Sequence, residues 1–256
     1  MVSDQKVSQP VEIVERRDFA PDLWTIRVRP NEPLVFRAGQ YATLGILEDE
    51  HVVERPYSIV SSPEEREVEF CFELVREGGL TPALHKMKVG ERLWMRRQAA
   101  GLFSFDDQSG HQQHFFAATV TGIAPFLSMV RSIVAGIRAG RRPEQRLIVL
   151  HGASRPWELA YREELETLER DSDWFRYIPT ISRPWEDPPW QGETGRIEDV
   201  LRKYLDACRL ESATTTAYLC GHPQMVANAR GILERRGFPR ASIRQEIYWI
   251  PDEGAE

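Results

Sequence analysis

The residues of this chain best suited to chemistry begin at Arg55-Pro56-Tyr57-Ser58-Ile59-Val60-Ser61-Ser62. An arginine can grip a diphosphate through its bidentate fork. Two positions on along an extended chain, Tyr57 points the same way and can lie flat on a conjugated ring, and Ser58 offers a hydroxyl beside that ring's edge. On residue types alone, an edge strand with a solvent-reaching arginine fits equally well. Two turns could seat an anion. Gly78-Gly79-Leu80-Thr81 opens a short helix whose first N–H groups are free, although Thr81 as a plain N-cap explains the same residues. Thr119-Val120-Thr121-Gly122-Ile123-Ala124-Pro125 reads as a strand-to-helix turn that presents N–H groups and a positive helix end to a diphosphate. A β–α turn without a ligand is the alternative there.

Three arginines form a second set. Arg155 and Arg183 each follow a candidate strand, and Arg196 opens a candidate helix. Three cations at strand ends are what a 2′-phosphate needs, while each one singly also fits a solvated surface position. Cys220-Gly221-His222-Pro223-Gln224-Met225 closes a further strand. A free cysteine there is either a small core residue or a group beside a ligand.

The elements that must position these residues change period near the middle of the chain. Before residue 106 the pattern alternates in twos: Trp24, Ile26 and Val28 against Thr25, Arg27 and Arg29, and Val68, Phe70, Phe72 and Leu74 against Glu69, Cys71 and Glu73. Further strands are expected at Val11–Arg17, Tyr41–Ile46 and Glu91–Arg97, with a short helix capped by Thr81 and begun by Pro82. Strands this short and this spaced predict an antiparallel β-barrel. The polar stretch Asp106–Gln113 reads as the link. Beyond it strands at His114–Val120, Arg146–His151, Phe175–Ser182, Thr215–Cys220 and Ser242–Ile250 alternate with helices. In the first of these helices Phe126, Val130, Ile133 and Ile137 make one apolar face. Glu158–Arg170, Ile197–Cys208 and Gln224–Arg236 are the others. That alternation predicts an α/β doubly wound parallel sheet. The expected domains are therefore 1–106 and 107–256, and no internal repeat stands out.

With the barrel and sheet in place, the motifs bear a family likeness. Arg55-x-Tyr57-Ser58-x-x-Ser61 resembles the flavin signature of the ferredoxin–NADP reductase superfamily, and Gly39-Gln40-Tyr41 is similar to its approach strand. The resemblance implies that 1–106 binds FAD along Arg55–Ser58, Pro56 included. Arg55 would hold the diphosphate, Tyr57 stack on the isoalloxazine, and Ser58 lie near the flavin atom that accepts hydride. Leu80 and Thr81 fall where the family's Gly-x-x-Ser/Thr turn contacts that diphosphate. Thr121 and Gly122 match the family's nicotinamide-nucleotide loop, with Val120 replacing its first glycine. Arg155, Arg183 and Arg196 would read NADPH over NADH. Cys220 would lie near the nicotinamide. Glu246-Ile247-Tyr248-Trp249 resembles the acidic-plus-aromatic terminus of the bacterial subgroup, in which Tyr248 or Trp249 reaches the flavin and Glu246 joins Ser58 in relaying a proton.

The activity implied is transfer of electrons between NADP(H) and a ferredoxin or flavodoxin, with Ser58, Cys220 and Glu246 catalytic. The alternatives are an NADH-dependent reductase component of an oxygenase and a flavin-bearing electron-transfer subunit without nicotinamide turnover. Arg16, Arg17, Lys86, Lys88, Arg96 and Arg97 could meet an acidic carrier. The net charge of −6 argues against a general nucleic-acid binder. The longest uncharged run, Phe115–Val130, is shorter than the roughly 20 residues a bilayer span needs. Cys71, Cys208 and Cys220 lie too far apart in sequence for a disulfide framework or an iron–sulfur ligand set. His111 and His114 fit a solvated loop better than a metal site. A cytoplasmic monomer with no membrane contact is expected.

Overall fold

The computed structural model describes residues 7–48 and 51–248. By internal contacts the chain divides into two compact units, one of residues 1–105 and 124–141, the other of 106–123 and 142–256.

The first unit contains strands β1 (Ser8–Ala20), β2 (Leu23–Pro30), β3 (Tyr41–Glu48), β4 (His51–Ser58), β5 (Val68–Glu73) and β6 (Arg92–Arg96). Helices α1 (Thr81–Lys86) and α2 (Ala124–Arg138) complete it. The strands form one antiparallel sheet in the order β4-β3-β6-β1-β2-β5. Its two edges meet where Ile59 bridges Phe70 and the Val60 N–H donates to the Glu69 carbonyl at 2.9 Å, so the sheet closes as a barrel. Trp24, Ile26, Val28, Phe70, Phe72 and Met95 fill its interior, as the period of two requires.

The outward positions depart from simple alternation. Thr25, Glu69 and Cys71 are also buried, and α2 meets that side at Glu69 and Ser61. On α2, Arg131 donates to Glu69 at 2.7 Å, and Glu69 also accepts from Arg27 at 2.9 Å. Ser128 on the same helix donates to the Ser61 carbonyl at 2.7 Å. The first two turns of α2 are accordingly buried all round, while Ile133 and Ile137 are only half-buried. The helical stretch Val120–Arg138 has the length and apolarity of a membrane span. Its burial and the Arg131–Glu69 pair account for that apolarity within a folded core.

The expected cap of α1 is corrected. Leu80 holds the N-cap position, with no side-chain capping bond. The Thr81 hydroxyl turns back instead, accepting from Val75 N–H at 3.0 Å and donating to the Val75 carbonyl at 3.1 Å. One hydroxyl thereby serves both backbone groups of Val75.

The second unit contains strands β7 (Gln113–Thr119), β8 (Arg146–Ala153), β9 (Phe175–Ile181), β10 (Glu193–Thr194), β11 (Thr215–Gly221) and β12 (Ile243–Ile247). Helices α3 (Arg162–Asp171), α4 (Ile197–Ala207) and α5 (Pro223–Arg235) follow β8, β10 and β11. The sheet is parallel throughout, in the order β10-β9-β8-β7-β11-β12. The chain builds outward from β7 in one direction and then restarts with β11 on its other side. The point between β7 and β11 is therefore the topological switch, outside whose carboxyl ends a doubly wound sheet opens a crevice. Phe115, Ile148, Leu150, Leu201, Leu219 and Val226 make the core beneath it.

Two local expectations change here. The α3 helix begins at Arg162, because Pro156–Glu158 forms its own single turn. His114 is buried rather than solvated: Nε2 donates to the His111 carbonyl at 3.2 Å, and Nδ1 accepts from the Tyr218 hydroxyl at 3.0 Å. Burial lowers its pKa to about 4, so the ring stays neutral.

Candidate active site

In the first unit, Arg55 and Pro56 are exposed on β4, Tyr57 is half-buried and Ser58 is buried. Pairing with β3 sets their facing, Arg55 opposite Leu44 and Tyr57 opposite Ala42. Tyr57 leans edge-on against Phe72, with centroids 4.8 Å apart and planes at 65°. Burial raises its phenol pKa, so the hydroxyl stays protonated. Arg55 donates to the Glu54 carbonyl at 2.7 Å. The turn before α1 approaches the same arginine: a methyl carbon added at Gly79 would stand 3.7 Å from Arg55 Nη2. Gly79 and Arg55 thus share one polar, exposed seat, which has the donors a diphosphate needs. Leu80 is a core side chain and Thr81 is buried, so this turn offers a ligand mainly its backbone.

In the second unit, Thr121, Gly122, Cys220, Glu246 and Tyr248 come together around the switch point. Cys220 and Glu246 are cross-strand neighbours at the ends of β11 and β12. Tyr248 N–H donates to the Gly221 carbonyl at 3.1 Å, and its hydroxyl donates to the Thr121 carbonyl at 3.3 Å. Cys220 is fully buried, and desolvation, the Glu246 charge and a hydrogen bond with the Tyr248 side chain act on it. The first two dominate and hold the thiol protonated. Glu246 has its pKa raised to about 7 by burial. Its Oε2 is buried and lacks a hydrogen-bond partner among the described residues. A carboxyl with that titration and an uncommitted oxygen is equipped to hold and move a proton at neutral pH. Trp249 lies outside the described residues.

The turn from β7 into α2 is shaped by the motif residues Thr119, Val120, Gly122 and Gly221 and by His151 and Tyr177, to which the motifs assign no role. Gly221 has φ +126°, and a side chain there would overlap Thr119 Oγ1. That hydroxyl accepts the His222 N–H at 2.9 Å. Gly122 backs onto Cys220, where an added carbon would overlap its carbonyl. Val120, at the position where the motif has glycine, takes φ +45°. This left-handed backbone is costly for a β-branched residue. It is held by buried His151, whose Nε2–H donates to the Val120 carbonyl at 3.0 Å while Nδ1 accepts from the Tyr177 hydroxyl at 3.1 Å. The position is glycine-like in backbone although not in side chain. Val120→Gly is therefore expected to raise stability by about 1 kcal/mol, read as a higher urea midpoint at unchanged slope.

Arg155 and Arg183 also meet. Both donate to Glu186, Arg183 through Nη1 at 3.5 Å and Arg155 through Nε, and Arg155 Nη1 reaches Glu158 at 2.9 Å. Arg196 stands exposed at the head of α4, its backbone N–H donating to Asp199 at 3.0 Å. The expectation of no internal repeat is corrected by a short one: Ser-Arg-Pro-Trp-Glu occurs at 154–158 and again at 182–186. Five identical residues after two successive strands were a readable signal. Among the surface cations, Arg16, Arg96 and Arg97 are already paired, with Asp18, Glu54 and Glu32.

A closed antiparallel barrel followed by a doubly wound parallel sheet is the fold of a two-unit flavin- and nucleotide-type oxidoreductase. Comparison with known proteins agrees. The oxidoreductase NAD-binding domain family matches residues 116–231. The flavodoxin/ferredoxin–NADP reductase of Shigella flexneri is 30% identical over 207 residues, covering 77% of this chain and 78% of the relative. The reductase component of a Pseudomonas phenol 2-monooxygenase is 28% identical over 242 residues, and the match covers 93% of this chain but only 65% of that relative. The crystal structure of a Neisseria gonorrhoeae ferredoxin NADP+ reductase with bound FAD and NADP superposes with a TM-score of 0.81 at 25% identity, covering 94% of this chain and 98% of the other. This chain belongs to the ferredoxin–NADP reductase family.

Proposed function

We propose that the chain moves electrons between NADPH and a one-electron carrier of the ferredoxin or flavodoxin type, with FAD held by residues 1–106 and the nicotinamide nucleotide by 107–256. The observation that carries this reading is the carboxyl ends of β11 and β12, where Cys220, Tyr248 and a neutral-range Glu246 gather at the switch point of a nucleotide-type sheet. FAD supplies the chemistry no side chain has, taking two electrons as hydride and releasing them singly. The protein's part is to bind, orient and manage protons. Arg55 and the Gly79 backbone grip the diphosphate, Tyr57 covers the isoalloxazine, and Ser58 sets its edge. Gly122 and Thr121 seat the nucleotide diphosphate, and Cys220 lies beside the nicotinamide. Glu246 holds the proton that accompanies reduction. Arg155, Arg183 and Arg196 face the adenosine end. The setting proposed is the cytoplasm.

A second reading, an NADH-dependent reductase serving an oxygenase, is favoured by one observation: two of the three arginines expected to read a 2′-phosphate, Arg155 and Arg183, are engaged by carboxylates. Anaerobic titration of the FAD-loaded protein tests both. Rapid bleaching of the flavin by NADPH and slower bleaching by NADH is expected. Bleaching by NADH alone selects the second reading, and bleaching by neither sinks both.

A further inference from the structure

The repeated Ser-Arg-Pro-Trp-Glu segments are the most unusual feature of the second unit. Each follows directly on a parallel strand, β8 or β9, and each folds into a single tight turn led by its proline, Pro156–Glu158 and Pro184–Glu186. The turns lie side by side: Ser182 N–H donates to the Ala153 carbonyl and Arg183 N–H to the Ser154 carbonyl, both at 3.0 Å. Each presents an indole to solvent, Trp157 at 44% and Trp185 at 71% exposure.

Identical residues do different work in the two copies. Glu158 closes its own turn, accepting from Ser154 N–H at 2.9 Å and Arg155 N–H at 3.1 Å as well as from the Arg155 guanidinium. Glu186 instead reaches across, taking Arg155 from the first copy and Arg183 from its own. The hydrogen bond from Arg155 lowers its pKa, so it is ionised at neutral pH. Two guanidinium groups are thus offset by two carboxylates at the place where cations would have to face a phosphate. A 2′-phosphate brings about −1.5 to −2 charges and wants the same fork donors. An unphosphorylated ribose asks for neither.

We propose that Glu186 determines nucleotide specificity: by occupying Arg155 and Arg183 it competes with a 2′-phosphate and keeps discrimination between NADPH and NADH small. The proposal rests on the reading that residues 107–256 bind a nicotinamide nucleotide. Glu158 shares the offset but is committed to its own turn, so Glu186 is the carboxylate a phosphate can displace.

The test is calorimetric titration of 2′,5′-ADP and of 5′-AMP into the FAD-loaded protein and its Glu186→Gln and Glu186→Asp variants. Glu186→Gln should tighten 2′,5′-ADP about tenfold, roughly 1.4 kcal/mol, and leave 5′-AMP within twofold. Glu186→Asp, which keeps the charge, should stay near the parent. In turnover, the NADPH-to-NADH ratio of kcat/KM should rise about tenfold through KM, with kcat unchanged. Weaker 2′,5′-ADP binding in Glu186→Gln would mean that Glu186 preorganises the arginines for phosphate, and would overturn the proposal, as would an unchanged ratio. If neither ligand binds the parent and neither nucleotide bleaches its flavin, the functional reading fails and the inference with it.

Discussion

Glu246→Gln should slow reduction of the bound flavin by NADPH about 10²-fold, measured by anaerobic stopped flow, while flavin content and nucleotide binding stay near the parent's. Glutamine keeps the shape and one carbonyl oxygen but cannot release or take up a proton at neutral pH. In the parent, reduction should be fast below pH 7 and fall as pH rises through about 7, where burial has placed the Glu246 titration. The variant should lack that inflection. Stability carries the same signature. The carboxyl titrates near 4.5 when unfolded and near 7 when folded, so the native state binds more protons between those values. This contribution is fully present below the unfolded value and is lost as pH rises through the folded one, by at most about 3 kcal/mol. Urea midpoints across pH 5 to 8 should decline in the parent and decline less in Glu246→Gln. Equal slopes would mean that the buried carboxyl does not titrate in this range.

Gly221→Ala is the second substitution with a large expected effect. At φ +126° an L-residue is strained whatever the space around it, and here the added carbon would overlap Thr119 Oγ1 and stand 3.1 Å from the Thr119 backbone N and O. Backbone cannot step aside as a flexible side chain can. The ends of β7 and β11 must separate, which also disturbs the His222 N–H bond to Thr119 and the Tyr248 bond to the Gly221 carbonyl. A loss of about 3 kcal/mol is expected. A displacement of about 1 Å near the reacting atoms would cost about 10²-fold in NADPH-dependent reduction. Flavin should still bind, because the contacts proposed for it, Arg55, Tyr57 and the Gly79 turn, belong to the first unit. Loss of flavin in step with loss of reduction would argue that Gly221 serves folding alone. Alanine at the neighbouring exposed His222 is the comparison that should leave reduction within a few-fold.

Much of this was legible in the chain itself, for definite reasons. Alternation in twos follows from the pleat and needs no tertiary contact to be read, so Trp24-Ile26-Val28 and Phe70-Phe72 announced a barrel. Strands spaced by helix-length runs announced the parallel sheet, and the type and order of Arg55, Tyr57 and Ser58 announced the family. The glycines at 122 and 221 were readable too, although the sequence could not say which backbone each one faces.

What only the tertiary structure decided is where burial and charge from distant elements meet. Glu69 reads as outward-facing until Arg131 of α2 reaches it, and that contact spans some sixty residues of chain. The neutral-range titration of Glu246 comes from its surroundings and not from its neighbours in sequence. Val120 replaces a glycine of the motif, and only the fold shows that it keeps a glycine's left-handed backbone, anchored by His151. The arginines at 155 and 183 follow the ends of β8 and β9, as the strand pattern in the sequence implied. Their local sequences are identical, so nothing in either segment could reveal that Glu186 serves both while Glu158 serves one. Local patterns set backbone geometry through sterics that act over a few residues. Proton affinity and net charge at a site depend on everything within several ångströms, which only the folded chain defines.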